Sequence, residues 1–422
     1  MSISGTCFSR FRKDEGGAIA VIFALSLIVV VLITGLAIDT GRAVHANRKI
    51  GAALDAAALA AAKGLRVENM NDAEVTALAE KYFDTNLRLS GGNFAVVNGI
   101  TVVIDRAKGA VEINVDAYVP TYFGALAGVD RFPLPRAAAA IFDAKDIEVA
   151  VQLDVTGSMG GRKIGDLTVA TKDLVDILIP DEPTGQKVRI AYAPYSAGVN
   201  VGSYLRSVNG DRPSARNCVY ERQSDANEFT DMLPIGLDAM KVKEDLTAPP
   251  GRSVQNCPDA EIVPMTDDKS ALKSTIDGYR ANGTTAGQLG TAWAWYLLSP
   301  RWGGIWPSDS RPAEYRDGKT IKVAVVMTDG IYNTIGGVNW GDGSPQSIQA
   351  GDKAIRLCEG MRNEGIVVYT VGFELRGASE PIRVLERCAS NPGNFFNASN
   401  GEELRSAFRA IAEQIVTLRL SK

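Results

Sequence analysis

Ile147-Glu148-Val149-Ala150-Val151-Gln152-Leu153-Asp154-Val155-Thr156-Gly157-Ser158 is the stretch on which the fold turns. Ile147 to Leu153 reads as a buried strand, and it runs straight into a carboxylate. A second apolar run, Ile321 to Met327, ends the same way in Thr328-Asp329-Gly330. The carboxyl ends of parallel strands are where open α/β sheets bind their ligands. Alternate residues of an extended segment point to one side, so Asp154, Thr156 and Ser158 can face a single point. Gly157 and Gly160-Gly161 let the turn tighten before a helix begins. Asp329 arrives from another strand end, and Thr284, in Asn282-Gly283-Thr284-Thr285, from a third loop. Two carboxylates and three hydroxyls, with few basic residues among them, make a hard all-oxygen site. Such a site suits a divalent cation, Mg²⁺ first, with Mn²⁺ or Ca²⁺ as alternatives. Only two of these ligands carry charge, which leaves the cation open to an Asp or Glu offered by a protein partner.

From Asp146 onward strands and helices alternate. Strands are expected at Ile147 to Leu153, Val188 to Tyr195, Ile321 to Met327, Ile366 to Phe373 and Gly393 to Asn397. Helices are expected at Lys163 to Leu178, Gly287 to Leu298, Ala350 to Glu364, Pro381 to Cys388 and Glu402 to Leu418. Continuous apolar strands between amphipathic helices predict an α/β, doubly wound, mostly parallel sheet covered on both faces. Residues 198–266, rich in Pro, Asn, Asp and Ser, fit neither pattern and read as a long insertion.

The N-terminal part is built differently. Residues 18–38 form an uncharged run of 21, which as a helix spans about 31 Å, close to the hydrocarbon thickness of a bilayer. A membrane-spanning helix over 16–40 is expected, with 1–15 as a cytoplasmic N-terminus. The competing reading, a cleaved signal peptide ending near Val44-His45-Ala46, asks for a shorter apolar core. Arg10, Arg12 and Lys13 precede the run and Arg42, Arg48 and Lys49 follow it, so charge does not set the orientation. Gly41 to Gly64 is alanine-dominated, with Ile50, Leu54, Ala57, Ala58, Ala61 and Leu65 at helical spacing, and reads as a stalk continuing the same helix. A second helix over Asp72 to Leu87, capped by Asn71 or Asp72, precedes a hairpin of Ile100 to Asp105 and Gly109 to Val119, joined by Arg106-Ala107-Lys108. A further strand is expected over Phe132 to Phe142. Residues 41–145 thus form a stalk and a small α+β module, and 146–422 the doubly wound domain.

Composition narrows the function. Of 422 residues, 45% are hydrophobic and 22% charged, ordinary for folded protein. Lys and Arg number 45 against 49 Asp and Glu and are scattered, so there is no electrostatic footprint for nucleic acid. A single histidine, His45, leaves little room for His-based catalysis or a usual zinc site. Cys7 precedes the apolar run, whereas Cys218, Cys257, Cys358 and Cys388 follow it. Chain order suggests Cys218 with Cys257 and Cys358 with Cys388, although four cysteines allow three connectivities. Bridged, they place the C-terminal part in an oxidising compartment; free buried thiols in a cytosolic domain are the alternative.

At Asp154-x-Thr156-x-Ser158, Thr284 and Asp329 the chain resembles the von Willebrand factor type A family and its metal-ion-dependent adhesion site. That motif reads Asp-x-Ser-x-Ser, a Thr in a Gly-Thr loop, and an Asp in a Thr-Asp-Gly turn; Thr156 replaces the first Ser and adds a methyl. The resemblance implies direct coordination by Thr156, Ser158 and Thr284, with Asp154 and Asp329 acting directly or through water. Asp14-Glu15-Gly16-Gly17-Ala18-Ile19-Ala20-Val21, Ala37-Ile38-Asp39-Thr40-Gly41-Arg42 and Asp55-Ala56-Ala57-Ala58-Leu59-Ala60 resemble the TadE/TadG-type proteins of bacterial Flp (tight adherence) pilus assembly. Thr291-Ala292-Trp293-Ala294-Trp295, Leu298-Ser299-Pro300, Arg387-Cys388-Ala389, Phe395-Phe396-Asn397-Ala398 and Leu404 to Phe408 are similar to TadG. This resemblance implies an inner-membrane protein, single-pass, with its adhesion-type domain in the periplasm and pilus-assembly proteins or pilin as partners. It also implies a Cys358 to Cys388 bridge. No Gly followed at five residues by Glu lies around Gly16 or Gly17, so prepilin-type cleavage is not supported.

Enzyme readings fare less well. Ser158 has no His, and no Lys is placed by a motif to act as its base. A phosphatase using Asp154 as nucleophile needs a second Asp two residues on, where Thr156 stands. The expectation is a non-enzyme. A metal-dependent hydrolase and a scaffold with a vestigial metal site are the rivals. Trp293, Trp295, Trp302, Trp306 and Trp340 lie near the proposed loops in sequence; packing is the expected role and a contact rim the alternative.

Overall fold

A computed structural model describes residues 16–67, 70–89, 95–106, 109–141, 145–181, 187–224 and 226–418. The expected cytoplasmic segment 1–15, Cys7, Ala107-Lys108 of the hairpin turn and Phe142 lie outside the described residues. The chain divides into two compact units, Met1–Asp143 and Ala144–Lys422.

In the first unit one helix, α1, runs unbroken over Gly16–Val67. It is among the described residues the one helix long and apolar enough to cross a membrane. Its character changes along its length. Ile19, Phe23, Leu25 and Ile33 are exposed, whereas Ala46, Ile50, Leu54, Ala57, Ala58, Ala61 and Leu65 are buried. Alanine lets neighbours approach closely, and the stalk packs against Val75, Ala79 and Phe83 of α2 (Asp72–Leu89). Asn71 caps α2 reciprocally with Glu74: the Glu74 N–H donates to Asn71 Oδ1 at 3.0 Å and the Asn71 N–H to Glu74 Oε2 at 2.9 Å. Strands β1 (Val96–Asp105) and β2 (Ala110–Pro120) form the expected antiparallel hairpin, and alternate residues Val111, Ile113, Val115, Ala117 and Val119 join the stalk's core. The single strand expected over Phe132 to Phe142 is two, β3 (Arg131–Pro133) and β4 (Arg136–Ile141). Both pair with β2. Pro133 and Pro135 break the ladder between them, because neither can donate an N–H.

The second unit is a six-stranded sheet. Its strands are β5 (Asp146–Asp154), β6 (Val188–Tyr195), β7 (Val263–Thr266), β8 (Thr320–Thr328), β9 (Val367–Phe373) and β10 (Phe395–Ala398). The spatial order is β10-β9-β8-β5-β6-β7, parallel throughout except for β7. From β5 the order grows one way through β6 and the other through β8, so β5 and β8 flank the topological switch point. Helices α3 (Arg162–Leu178), α4 (Lys269–Asp277) and α8 (Gly401–Leu418) cover one face; α5 (Gly287–Leu298), α6 (Pro345–Asn363) and α7 (Ser379–Cys388) cover the other.

Three elements differ from expectation. The last four residues of the expected insertion 198–266 are β7, the antiparallel edge of the main sheet; Pro264 reads as a breaker but is tolerated at an edge. Helix α4 buries only Leu272 and Ile276, too sparse a stripe to read as periodic, and is started by Asp268, whose carboxylate accepts the Ala271 N–H at 2.9 Å. Helix α6 begins at Pro345 rather than Ala350, capped by Ser344. Disulfides join Cys218 to Cys257 within the insertion and Cys358 to Cys388 between α6 and α7. Trp293, Trp295, Trp302 and Trp306 are buried, with Tyr296 and Trp302 stacked at 4.2 Å, so these four are core rather than rim.

Helix α5 sits close to the sheet because Gly290 has no side chain: a Cβ there would lie 2.6 Å from the Tyr195 ring and 3.1 Å from Gln152. Gly290→Leu is expected to destabilise the second unit by roughly 1–3 kcal/mol through overpacking. Denaturant unfolding followed by tryptophan fluorescence measures it, since all five tryptophans lie in that unit. An unchanged midpoint refutes the close-approach argument.

Candidate metal centre

Parallel pairing sets Asp154, at the end of β5, level with Tyr195 on β6, while β8 delivers Thr328 and Asp329 on the other side. Asp154 is fully buried. A buried carboxylate must be satisfied by donors, and this one is. Its Oδ1 accepts the Thr156 N–H at 3.0 Å and the Thr156 hydroxyl at 2.6 Å. Its Oδ2 accepts the Tyr195 hydroxyl at 2.8 Å, the Thr328 hydroxyl at 2.9 Å and, longer, the Asp329 N–H at 3.3 Å. The Ser158 hydroxyl donates to Asp329 Oδ1 at 2.6 Å. Asp154, Thr156, Ser158 and Asp329 are thus brought into one continuous cluster.

The third loop is stitched beside it. The Gly157 N–H donates to the Gly283 carbonyl at 2.8 Å, and the Asn282 N–H to the Val155 carbonyl at 2.8 Å. A Cβ on Gly157 would lie 3.1 Å from the Gly283 oxygen, so glycine permits this approach. Gly283 itself has φ of 87°, which also favours glycine. Thr284 follows, and its buried hydroxyl has no hydrogen-bond partner.

Hydroxyl protons in the cluster are too few. Thr156 Oγ1 and Ser158 Oγ lie 2.8 Å apart, yet each already donates its one hydrogen to a carboxylate. With both carboxylates ionised, that contact sets lone pair against lone pair. A cation shared by the two oxygens would satisfy it, as would a proton on Asp154. Burial first, and then the neighbouring Asp329, pushes the Asp154 carboxyl up to about 6, with the hydrogen bonds from Thr156 and Tyr195 opposing. Among the described residues no three His, Cys, Asp or Glu side chains gather to hold a metal; the donor set here is two carboxylates and hydroxyls.

Lys163, in the first turn of α3, was not anticipated. Its ammonium donates to Asp329 Oδ2 at 2.8 Å, with the Asp329 carboxylate enclosed. The sequence signal was its position one turn beyond Ser158 at a helix start. Tyr195 and Thr328 were likewise missed as partners of Asp154, although both stand at strand ends beside it.

Residues 17–64 match the family described as putative Flp pilus-assembly TadE/G-like. No curated protein matches the sequence. Among solved structures the chain is similar to the von Willebrand factor domain of the type V pilus tip protein Mfa5 from Porphyromonas gingivalis, at 13% identity and TM-score 0.41, over 66% of this chain and 97% of that one. It is similar to the pilus adhesin SpaC from Lactobacillus rhamnosus GG at 10% identity and TM-score 0.39, over 76% of this chain and only 34% of that one. The chain therefore spans about a third of that adhesin's length. A third is proximal thread matrix protein 1 from the mussel byssus with its MIDAS motif occupied by zinc, at 12% identity and TM-score 0.31, over 66% of this chain and 48% of that one. The chain thus carries a TadE/G-like pilus-assembly segment over residues 17–64, followed by an α/β unit built on a mostly parallel six-stranded sheet.

The raised Asp154 carboxyl gives a pH prediction. Between about pH 4 and pH 6 the folded state holds a proton that the unfolded chain has released, so this group's contribution to stability falls as pH rises through that window. In chelator, the unfolding free energy of wild type relative to Asp154→Asn should drop by roughly 2 kcal/mol from pH 4 to pH 7. A difference that does not change with pH contradicts the assignment.

Proposed function

We propose that this chain is a non-enzymatic component of Flp/Tad pilus assembly or adhesion, anchored in the bacterial inner membrane through residues 16–40. Residues 41–145 form its stalk module, and residues 146–422 are exported to the periplasm. There the second unit docks a pilus-assembly protein or pilin through a divalent cation, completed by an Asp or Glu of the partner.

The observation that carries this reading is the proton-deficient contact of 2.8 Å between Thr156 Oγ1 and Ser158 Oγ. Adjacent ligands of an octahedral Mg²⁺ with bonds of about 2.1 Å lie about 3 Å apart, near the spacing of the Thr156 and Ser158 hydroxyls. The hard oxygen donors suit Mg²⁺ first, with Mn²⁺ or Ca²⁺ as alternatives. Thr156, Ser158, Thr284, Asp154 and Asp329 would hold it, and the unpartnered Thr284 hydroxyl would gain a bond. The ion supplies a docking point for an anionic oxygen. Asp154 and Asp329 balance its two charges, and Lys163 leaves the neighbourhood net positive, which favours a carboxylate from outside.

A phosphatase built on Asp154 is disfavoured by the same geometry, because both oxygens of this buried carboxylate are taken by donors. Turnover of a generic phosphate ester by the wild type that is lost in Asp154→Asn would reverse that choice.

Mn²⁺ or Mg²⁺ at about a hundred times Kd should stabilise the second unit by about 2.7 kcal/mol, and Asp154→Ala should abolish the shift. No shift in wild type would leave only a scaffold with a vestigial site. Lys163→Met should bind Mn²⁺ more tightly, by about tenfold, since the ammonium both occupies Asp329 and repels the ion. Free Mn²⁺ followed by electron paramagnetic resonance measures it; equal or weaker binding refutes the competition.

A further inference from the structure

We propose that the loop between Thr121 and Asp130 is a membrane wedge, seated in the lipid headgroup and upper acyl region beside the point where α1 leaves the bilayer. This rests on the membrane-spanning reading of residues 16–40.

The loop's position along α1 is set by hard contacts. Asp39 follows directly on the uncharged run 18–38, and its carboxylate is fully buried. Asp39 Oδ1 accepts the Tyr122 N–H at 3.0 Å; Oδ2 accepts the N–H groups of Tyr122 at 3.1 Å, Phe123 at 2.8 Å and Gly124 at 2.9 Å. Four residues earlier, and about 6 Å deeper along the helix axis, a Cβ on Gly35 would lie 2.3 Å from the Phe123 ring. Glycine there admits the ring, so Phe123 lies against the helix inside the apolar run. On the other side Arg42 stands over the Tyr122 ring at 4.0 Å and donates to the Pro120 carbonyl at 3.2 Å.

The loop is also closed on itself. The Thr121 N–H donates to the Asp130 carbonyl at 3.0 Å and the Val129 N–H to the Gly124 carbonyl at 2.9 Å, around a single 3₁₀ turn over Gly124–Ala127. Tied to α1 and to itself, it holds Tyr122 67%, Leu126 74% and Val129 42% exposed. At the same level Leu36 and Ile38 of the helix are exposed too. Apolar residues gathered at one level of a soluble surface mark an interaction site. Here the occupant follows from register: a loop bolted to the last turns of a spanning helix stands where the lipid is. Tyr at the boundary and Arg42 just beyond it match the interfacial preferences of both residues. The wedge gives the protein a second foothold beside its helix and fixes the depth at which α1 emerges.

The test uses the full chain in a Cys7→Ser background, reconstituted in phosphatidylcholine–phosphatidylglycerol vesicles and labelled at Leu126→Cys with an environment-sensitive fluorophore. The wedge is expected to give blue-shifted emission, quenched by lipids carrying a nitroxide near the headgroup and spared by aqueous iodide. A parallel label at Val29→Cys reports on the span. If position 29 is quenched by lipid while position 126 is quenched by iodide, the wedge is overturned and the span stands. If position 126 is blue-shifted yet untouched by either quencher, protein covers it, a second copy or a partner helix, and the wedge is again overturned. If position 29 is not quenched by lipid, span and wedge fail together.

Discussion

The second unit is organised around the need to keep one buried carboxylate satisfied. Asp154 has no access to water, so every lone pair must find a donor inside the protein. The donors come from two neighbouring strand ends and its own turn: Tyr195 from β6, Thr328 and Asp329 from β8, and Thr156 two residues on. This set exists only if β5 lies between β6 and β8, and therefore only at the switch point of the sheet. The next layer depends on it in turn. Tyr195 is held by the approach of α5 over Gly290, and α5 is tied to β5 by the Thr291 hydroxyl donating to Gln152 Oε1 at 2.9 Å. Core packing and the polar cluster are one structure, not a site placed on a finished scaffold.

That cluster is well supplied with backbone and tyrosine donors but short of hydroxyl protons. The deficit falls between Thr156 and Ser158, and the surplus negative charge falls on Asp329, where Lys163 meets it. A lysine in this place does two opposing things. It makes the metal-free protein tolerable by pairing a buried carboxylate, since an unpaired one costs several kcal/mol. It also raises the work of bringing in a divalent ion. In the proposed metal-bound state this balance would set the affinity for the ion through one residue outside the five-residue motif, without touching a ligand.

The sheet was readable because its strands are buried on both faces and appear as near-continuous apolar runs; Val188 to Tyr195 and Gly287 to Leu298 begin and end where the sequence pattern places them. What escaped was weakly patterned. Edge strand β7 carries Pro264 and only four residues, and α4 shows two buried apolar positions. At the site, Asp154, Thr156, Ser158 and Asp329 were legible because spacing along an extended chain is a local property. Tyr195 and Lys163 were not, because their roles arise from strand adjacency and from the direction α3 takes out of the turn. In the first unit the split of β3 and β4 was written in Pro133 and Pro135 but masked by the alanine run after them.

Helix α1 raises a different question, since its flanking charges are nearly symmetric and leave its orientation undetermined. Two other features support the proposed orientation. Both disulfides lie in the second unit, on the C-terminal side of the span, and such bonds persist in oxidising compartments. The change along α1 from exposed apolar residues to a buried alanine stripe also falls on that side, where Asp39 is caught by the 122–124 backbone. Beyond its apolar run, a helix of this length needs contacts that keep it helical in water. The packing of Ala46, Ala53, Ala57 and Ala61 against α2 and the sheet supplies them, because helical stability in water comes mainly from tertiary contacts rather than from propensity. With residues 16–40 in a membrane, as proposed, the folded module would begin immediately outside the bilayer, in keeping with the orientation proposed for the export of the second unit.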